Sequence, residues 1–486
     1  MSDPETPPAA PEANASSDYE ENVVPLGEKI AVGTGGLPFW MGNVVVQSTA
    51  QPFYVMMLAV NPALLGIVVA IPRFWDALTD PIMGRISDRW KSKYGRRRPF
   101  IFLGSVLMAI FFGLIWMASP EWSETMQLGW FLVTSLIFFT CYTIFAVPYT
   151  SLTFEMTPNY DERTTIMGYA TFASKVGEFV YQWFVPIATL GVAWGLFSTD
   201  IVGMRVVLWI VAITMIGICG VIPAIFAKER YYKVQQKELK EHEKVGFWKA
   251  AGQTLKNKAF VVLITITLLQ ILAGIFSSSM DYYLLVYYMF DGDIAQGSFW
   301  KGLLSTGYAV GGFLGIPVII WFSKRTSKLT ALKTTYVLTI FNAVLRWFIY
   351  TPGNHMWIMI DPIFGSLYWI AVGTVKQSMI ADVCDDDELK YGERREGMYG
   401  AVFGWITKTA ISLSAFIGGI ALVMVGFNAE SGGEQGESTF LGMRLLMVLG
   451  SMLPNLLALG ILHLYPLTKE KAFETRRQLE ARRGKV

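Results

Sequence analysis

The chain has 486 residues, 53% of them hydrophobic and only 16% charged, with a formal net charge of +2. That balance is too apolar for an ordinary soluble enzyme of this length and places the chain in a lipid bilayer, with no nucleic-acid partner expected.

Residues 1–28 open with MSDPETPPAAPEANASSDYEENVVP, rich in Pro, Ala and acid. The stretch lacks a basic and an apolar region in series, so it reads as a disordered cytoplasmic tail and not as a signal peptide. Crossing a bilayer takes about 20 mostly apolar residues. Stretches of that kind lie near 31–58, 62–87, 99–119, 126–154, 165–190, 203–227, 258–289, 300–322, 332–351, 356–383, 397–426 and 440–465, giving twelve predicted spans. A bundle over 29–227, a charged linker over 228–257, a second bundle over 258–465 and a basic tail over 466–486 make the six-plus-six layout of two-domain transporters. The expected fold is all-α, with twelve transmembrane helices in two six-helix bundles.

Lysine and arginine alternate in step with the spans. Segments 88–98, 156–164, 228–258, 323–333, 384–396 and 466–486 hold 30 of the 40, and the intervening connections hold none. The positive-inside rule then predicts a multi-pass inner-membrane protein with both termini cytoplasmic. The linker KERYYKVQQKELKEHEKVGFWKAAGQTLKNK is helical in composition and is expected to lie on the membrane surface, or else to be a regulatory module. The tail, with TKEKAFETRRQLEARRGKV, reads as a short basic helix or a disordered end.

No Walker loop, nucleophile elbow or zinc spacing is present. His242, His355 and His463 are scattered, and Cys141, Cys219 and Cys384 lack metal-ligand spacing. The chain is therefore expected to be no enzyme and to carry no cofactor; the expected partner is a small-molecule solute and the expected state a monomer.

Ionisable residues inside spans are costly unless paired, hydrated or bound to an ion. The sharpest case is RFWDALTDP at 73–81 in span 2. At 100° per residue Arg73, Asp76 and Asp80 share one helical face, where two carboxylates at i, i+4 repel unless a proton or cation sits between them. Pro81 deprives the Ala77 carbonyl of its helical partner, adding an oxygen at membrane depth. The set suits a hard cation or a proton, with Asp76 and Asp80 the ligands if the ion is Na+. The alternative is an architectural Arg–Asp network. DPIMGRISDRWKSKYGRRRP then places Asp88 and Arg89 at the mouth of the span. Arg73, Asp88, Arg89, Glu155 and Arg163 on one half, and Asp382, Asp385, Arg394 and Arg395 on the other, read as gating charges, those at the cytoplasmic mouth pairing across the halves when the inner side shuts, or as solvated loops.

Three segments carry a resemblance. RFWDALTDPIMG in span 2, YTIFAVPYTSL at 142–152 and IADVCDDDELKYGERREG at 380–397 look like the glycoside–pentoside–hexuronide:cation symporters of the major facilitator superfamily, whose familiar member is melibiose permease. The likeness runs in order from about residue 30 to 465. It implies that Asp76 and Asp80 are the cation-binding carboxylates and that Thr143 is a hydroxyl ligand. Thr79 stands where melibiose permease has an asparagine. Lys408 matches the lysine that links the sugar and cation sites. The galactoside-recognising positions are Pro38, Ala146, Ala170 and Gly373 here, a departure from galactoside specificity. Lys175, Lys376 and Lys408, with Tyr149 and Trp405 as stacking faces, remain as candidate contacts for a sugar, glycoside or uronide. Lys175 could instead pair with Glu178, and Arg346 could snorkel to the interface. The implied function is cation-driven uptake by alternating access. The competing readings are movement of a lysolipid or other amphiphile, and a transport-dead sensor that keeps the fold.

Overall fold

The computed structural model describes residues 24–90, 92–157, 160–229, 252, 254–391 and 396–483. The 1–23 tail, most of the 228–257 linker, Arg394, Arg395 and the side chain of Arg163 lie outside the described residues.

Every regular element among the described residues is helical. Helix α1 combines Leu26–Thr34, Gly36–Ala50 and a π-helical turn, Gln51–Met57. Helix α2 is Pro62–Arg89, α3 Arg98–Ile115, α4 Glu124–Glu155, and α5 Tyr160–Tyr181 continued by Phe184–Ala193. Helix α6 runs through Asp200–Val211, Ala212–Ile218 and Cys219–Phe226. The second half repeats the plan. Helix α7 is Lys258–Tyr283 with a π turn Leu284–Met289, α8 Ile294–Arg325 and α9 Lys328–Ile349. Helix α10 runs from His355–Ile360 through Asp361–Ile370 and a π segment, Ala371–Lys376, to Gln377–Tyr391. Helices α11, Glu396–Met424, and α12, Glu437–Ile461, complete the set, and a terminal helix α13, Lys469–Arg483, packs on α10.

Ten of the helical passages among the described residues are long and apolar enough to cross a membrane. Helix α1, interrupted at Gly35, and α9, which carries Lys328, Lys333 and Arg346, complete the twelve. Short polar residues set the starts. The Asn61 side chain accepts from the N–H groups of Ala63 and Leu64 ahead of α2, with Pro62 at the first helical position. Asn257, Asp293 and Ser327 do the same for α7, α8 and α9.

The two bundles meet along two seams at the end away from the termini. In the first, α2 and α11 touch backbone to backbone. A Cβ on Gly419 would stand 2.2 Å from the Pro62 carbonyl oxygen, and one on Gly66 would stand 2.9 Å from that of Ala415. In the second, α5 meets α8, with the Trp183 and Phe299 rings 6.2 Å apart. At the terminal end, four ion pairs among the described residues lie within a bundle. Arg97 reaches both Asp88 (2.6 Å) and Glu155 (2.8 Å), Arg96 reaches Glu155 (2.5 Å), and Lys328 reaches Asp382 (2.7 Å). Arg89 is exposed and Asp385 half-buried. Glu229, just past α6, accepts from the backbone N–H groups of Arg96, Arg97 and Arg98 at 2.8, 2.6 and 3.2 Å, capping the start of α3.

Inside the second bundle a buried network corrects one expectation. Arg346 does not snorkel. Its Nε and one terminal nitrogen grip Asp361 at 2.8 and 2.9 Å, and Asn342, Tyr308 and Tyr350 also donate to that carboxylate. A buried carboxylate offered this many donors is cheaper to satisfy locally than at the interface. Because removing one partner leaves a buried charge alone, Asp361→Ala is expected to cost about 3–5 kcal/mol. The loss should appear as a lowered Tm of the detergent-solubilised protein, with Asp293→Ala on the exposed α8 cap as control.

Candidate functional site

The acids of α2 are brought together with a lysine from the other bundle. Lys408 Nζ lies 2.9 Å from Asp76 Oδ2 and 2.7 Å from Asp80 Oδ2. The Thr143 hydroxyl of α4 donates to Asp76 Oδ1 at 2.8 Å. Thr143 Oγ1 also lies 3.1 Å from Thr79 Oγ1, whose one proton has the Trp75 and Asp76 carbonyls as further acceptors at 3.2 and 3.1 Å. The result is a chain of contacts from Thr79 through Thr143, Asp76 and Lys408 to Asp80, built from α2, α4 and α11. Exposure is graded along it: the Asp76 side chain is 0% exposed and that of Asp80, one turn nearer the terminal end, 32%. The site is therefore sealed on the side of the α2–α11 seam and reachable from the other.

Arg73 is placed differently from the sequence expectation. It pairs with neither acid. One terminal nitrogen donates to Asn43 Oδ1 at 3.2 Å, and the guanidinium carbon stands 4.5 Å over the Phe139 ring. The reason is directional, because side chains on a helix tilt toward its N-terminus, carrying the long arginine away from Asp76 and Asp80. Asp76, Asp80 and Lys408 carry one net negative charge, and Arg73 brings the local sum to zero without touching them. A further cation would leave the cluster one charge in excess unless Lys408 withdrew.

The substrate candidates separate. Lys376 is fully buried on the π segment of α10, its ammonium donating to Gln270 Oε1 below Tyr336. Gln270 belongs to α7 and Tyr336 to α9, so the lysine sits inside the second bundle. Tyr149 is buried too: its hydroxyl donates to the Val32 carbonyl at 2.9 Å, and its ring stacks on Phe145. In this conformation both are packed inside their bundles. Lys175 pairs with Glu178 at 2.6 Å on an exposed face of α5. Trp405 is exposed one turn from Lys408. Sequence reasoning missed Asn43, a polar residue in an apolar span whose carbonyl oxygen holds Arg73.

Residues 31–469 match the family described as MFS/sugar transport protein. The chain belongs to that family. This transporter is 24% identical over 468 residues to an uncharacterized symporter, YnaJ, of Bacillus subtilis, covering 95% of the chain and 96% of the relative. It is 25% identical to the sodium-dependent lysophosphatidylcholine symporter 1 of Gallus gallus, covering 93% and 88%. To the isoprimeverose transporter of Lactiplantibacillus pentosus it is 23% identical, covering 87% and 85%. Its fold is that of the nucleoside transporter NupG in a point-mutant form, with a TM-score of 0.61 at 13% identity over 91% of the chain and all of the solved one. The sequence expectation of a multi-pass major facilitator protein that is a transporter and not an enzyme holds.

Proposed function

We propose that this transporter is a symporter in which entry of Na+ or H+ drives uptake of a sugar, glycoside or uronide across the inner membrane, as a monomer with both termini cytoplasmic. The observation that carries the reading is Lys408 lying between Asp76 and Asp80. A tethered cation occupies the carboxylates when the coupling ion does not, and the arriving ion releases it toward the solute. Thr79 and Thr143 complete an oxygen-rich set for Na+, for which Asp76 and Asp80 would be the charged ligands. For H+ the carboxylates alone suffice. Relatives with symporter and isoprimeverose-transporter names support the coupling and the solute class. In this conformation the seams close the outer side, while on the inner side Glu155 pairs with Arg97 and Asp382 with Lys328, each within its own bundle.

Asp76→Asn and Asp80→Asn are each expected to lower gradient-driven accumulation at least about a hundredfold while leaving equilibrium exchange of solute measurable. Retained accumulation in both variants would refute the coupling assignment. Thr143→Val discriminates the ions, since it weakens Na+ stimulation and leaves proton-driven uptake intact. A second reading, transport of a lysophospholipid, is supported by the similarity to the Gallus gallus symporter. It requires that an acyl chain, absent from a free sugar, be needed for uptake.

A further inference from the structure

A small cavity of about 10 Å³, room for one water-sized oxygen, lies between α1, α2, α7 and α11 behind the Gly66 and Gly419 contacts. It is apolar except for three side chains, Gln47 and Gln51 of α1 and Tyr283 of α7. Two of these leave buried polar atoms without a hydrogen-bond partner: Gln47 Oε1 and the Tyr283 hydroxyl. The pairing is chemically complementary. The Gln47 amide is fixed by its nitrogen, which donates to the Ile411 carbonyl at 3.0 Å across the bundle interface, so its oxygen can only accept. The Tyr283 ring is held by Tyr287 and Phe427, at 6.1 and 5.2 Å, leaving its hydroxyl free to donate. A group placed between them must both give and take a hydrogen bond, which a hydroxyl does and an apolar atom or an anion does not.

The backbone marks the same place. The π turn of α1 begins at Gln51 and that of α7 directly after Tyr283, in the first helix of each bundle. Such turns are uncommon and concentrate at functional sites, where one extra residue lets a helix re-aim its side chains.

We propose that Gln47, Gln51 and Tyr283 form a hydroxyl-binding site at the outer gate. Water fills it while α2 and α11 are in contact, and a hydroxyl of the incoming solute meets it first when they part. The solute half rests on the sugar reading and orientation proposed above; the water half does not. The site is separate from the cation cluster, lying on the outer side of Asp76, and its polar groups face a passage that the solute crosses on the way in.

The test uses full-length protein in proteoliposomes, with Gln47→Leu and Tyr283→Phe, the latter keeping the ring that packs on Phe427. Labelled isoprimeverose and melibiose serve as probes from both sides. KM for uptake is expected to rise about three- to tenfold per variant, with maximal rate and the KM for efflux within about twofold of wild type. A uniform shift in both directions, or none, overturns the role in uptake. Should wild-type protein move neither sugar, the second arm decides the site. High-resolution cryo-EM of the outer-closed protein is expected to reveal an ordered oxygen within hydrogen-bonding distance of Gln47 Oε1 and the Tyr283 hydroxyl, lost in Tyr283→Phe. Absence of that density in wild type overturns the site itself.

Discussion

Lys408→Gln is expected to tighten binding of the coupling cation at least about tenfold while abolishing cation-driven accumulation. Glutamine keeps much of the length of lysine and one hydrogen-bond donor group, but it brings no charge to carboxylates that the ammonium approaches at 2.9 and 2.7 Å. Charge-assisted hydrogen bonds contribute about 1.5–3 kcal/mol each, so removing an internal competitor that makes two of them shifts the ion equilibrium by an order of magnitude or more. Coupling fails for the same reason. The ion no longer displaces anything, so its arrival tells the second bundle nothing about the first. Calorimetric titration with Na+, repeated at two pH values, reads the first effect, and uptake under an imposed gradient reads the second. Weaker ion binding in Lys408→Gln would mean that the lysine holds the two acids in place and does not compete for them.

The helical passages were legible because hydropathy and the alternation of basic loops report on solvent, which each segment meets by itself. The shared face of Asp76 and Asp80 was legible for a similar reason: one helix fixes its own face. Which neighbours that face meets, Thr143 and Lys408, came from the family resemblance alone and not from the residues' own pattern. Lys408 is 332 residues from Asp76, and nothing in its own span says that its ammonium ends between two carboxylates of α2. Arg73 failed in the opposite way. Its angular position was right, but the tilt of its side chain took the guanidinium to Asn43 and Phe139. Lys376 ends a π segment, which changes the register of the helix and has no strong sequence signature. Arg346 found Asp361, an acid fifteen positions away across a helical hairpin, where a single-helix argument sees only a cation near an interface.

Gly419→Val is expected to hold the outer gate open and stop the transport cycle. A Cβ at this position would stand 2.2 Å from the Pro62 carbonyl oxygen and 2.9 Å from its carbonyl carbon, backbone atoms that no rotamer change can move aside. Helices α2 and α11 must separate, and the penalty falls on the outer-closed state alone because only there do the two glycine-lined surfaces touch. Overpacking of this kind costs about 1–3 kcal/mol, equivalent to a shift of about five- to 150-fold in the balance of the two states. A cysteine at Val69, which lines the cavity behind the seam, should therefore react faster from outside with an impermeant thiol reagent, in a background lacking Cys141, Cys219 and Cys384. Gly404→Val supplies the control on the same helix, since a Cβ there meets nothing within 4 Å. Equal labelling in the two variants would show that closure does not depend on the α2–α11 contact. Faster labelling confined to Gly419→Val, with any cation binding of the wild type retained, would separate the gate from the proposed ion site at Asp76 and Asp80.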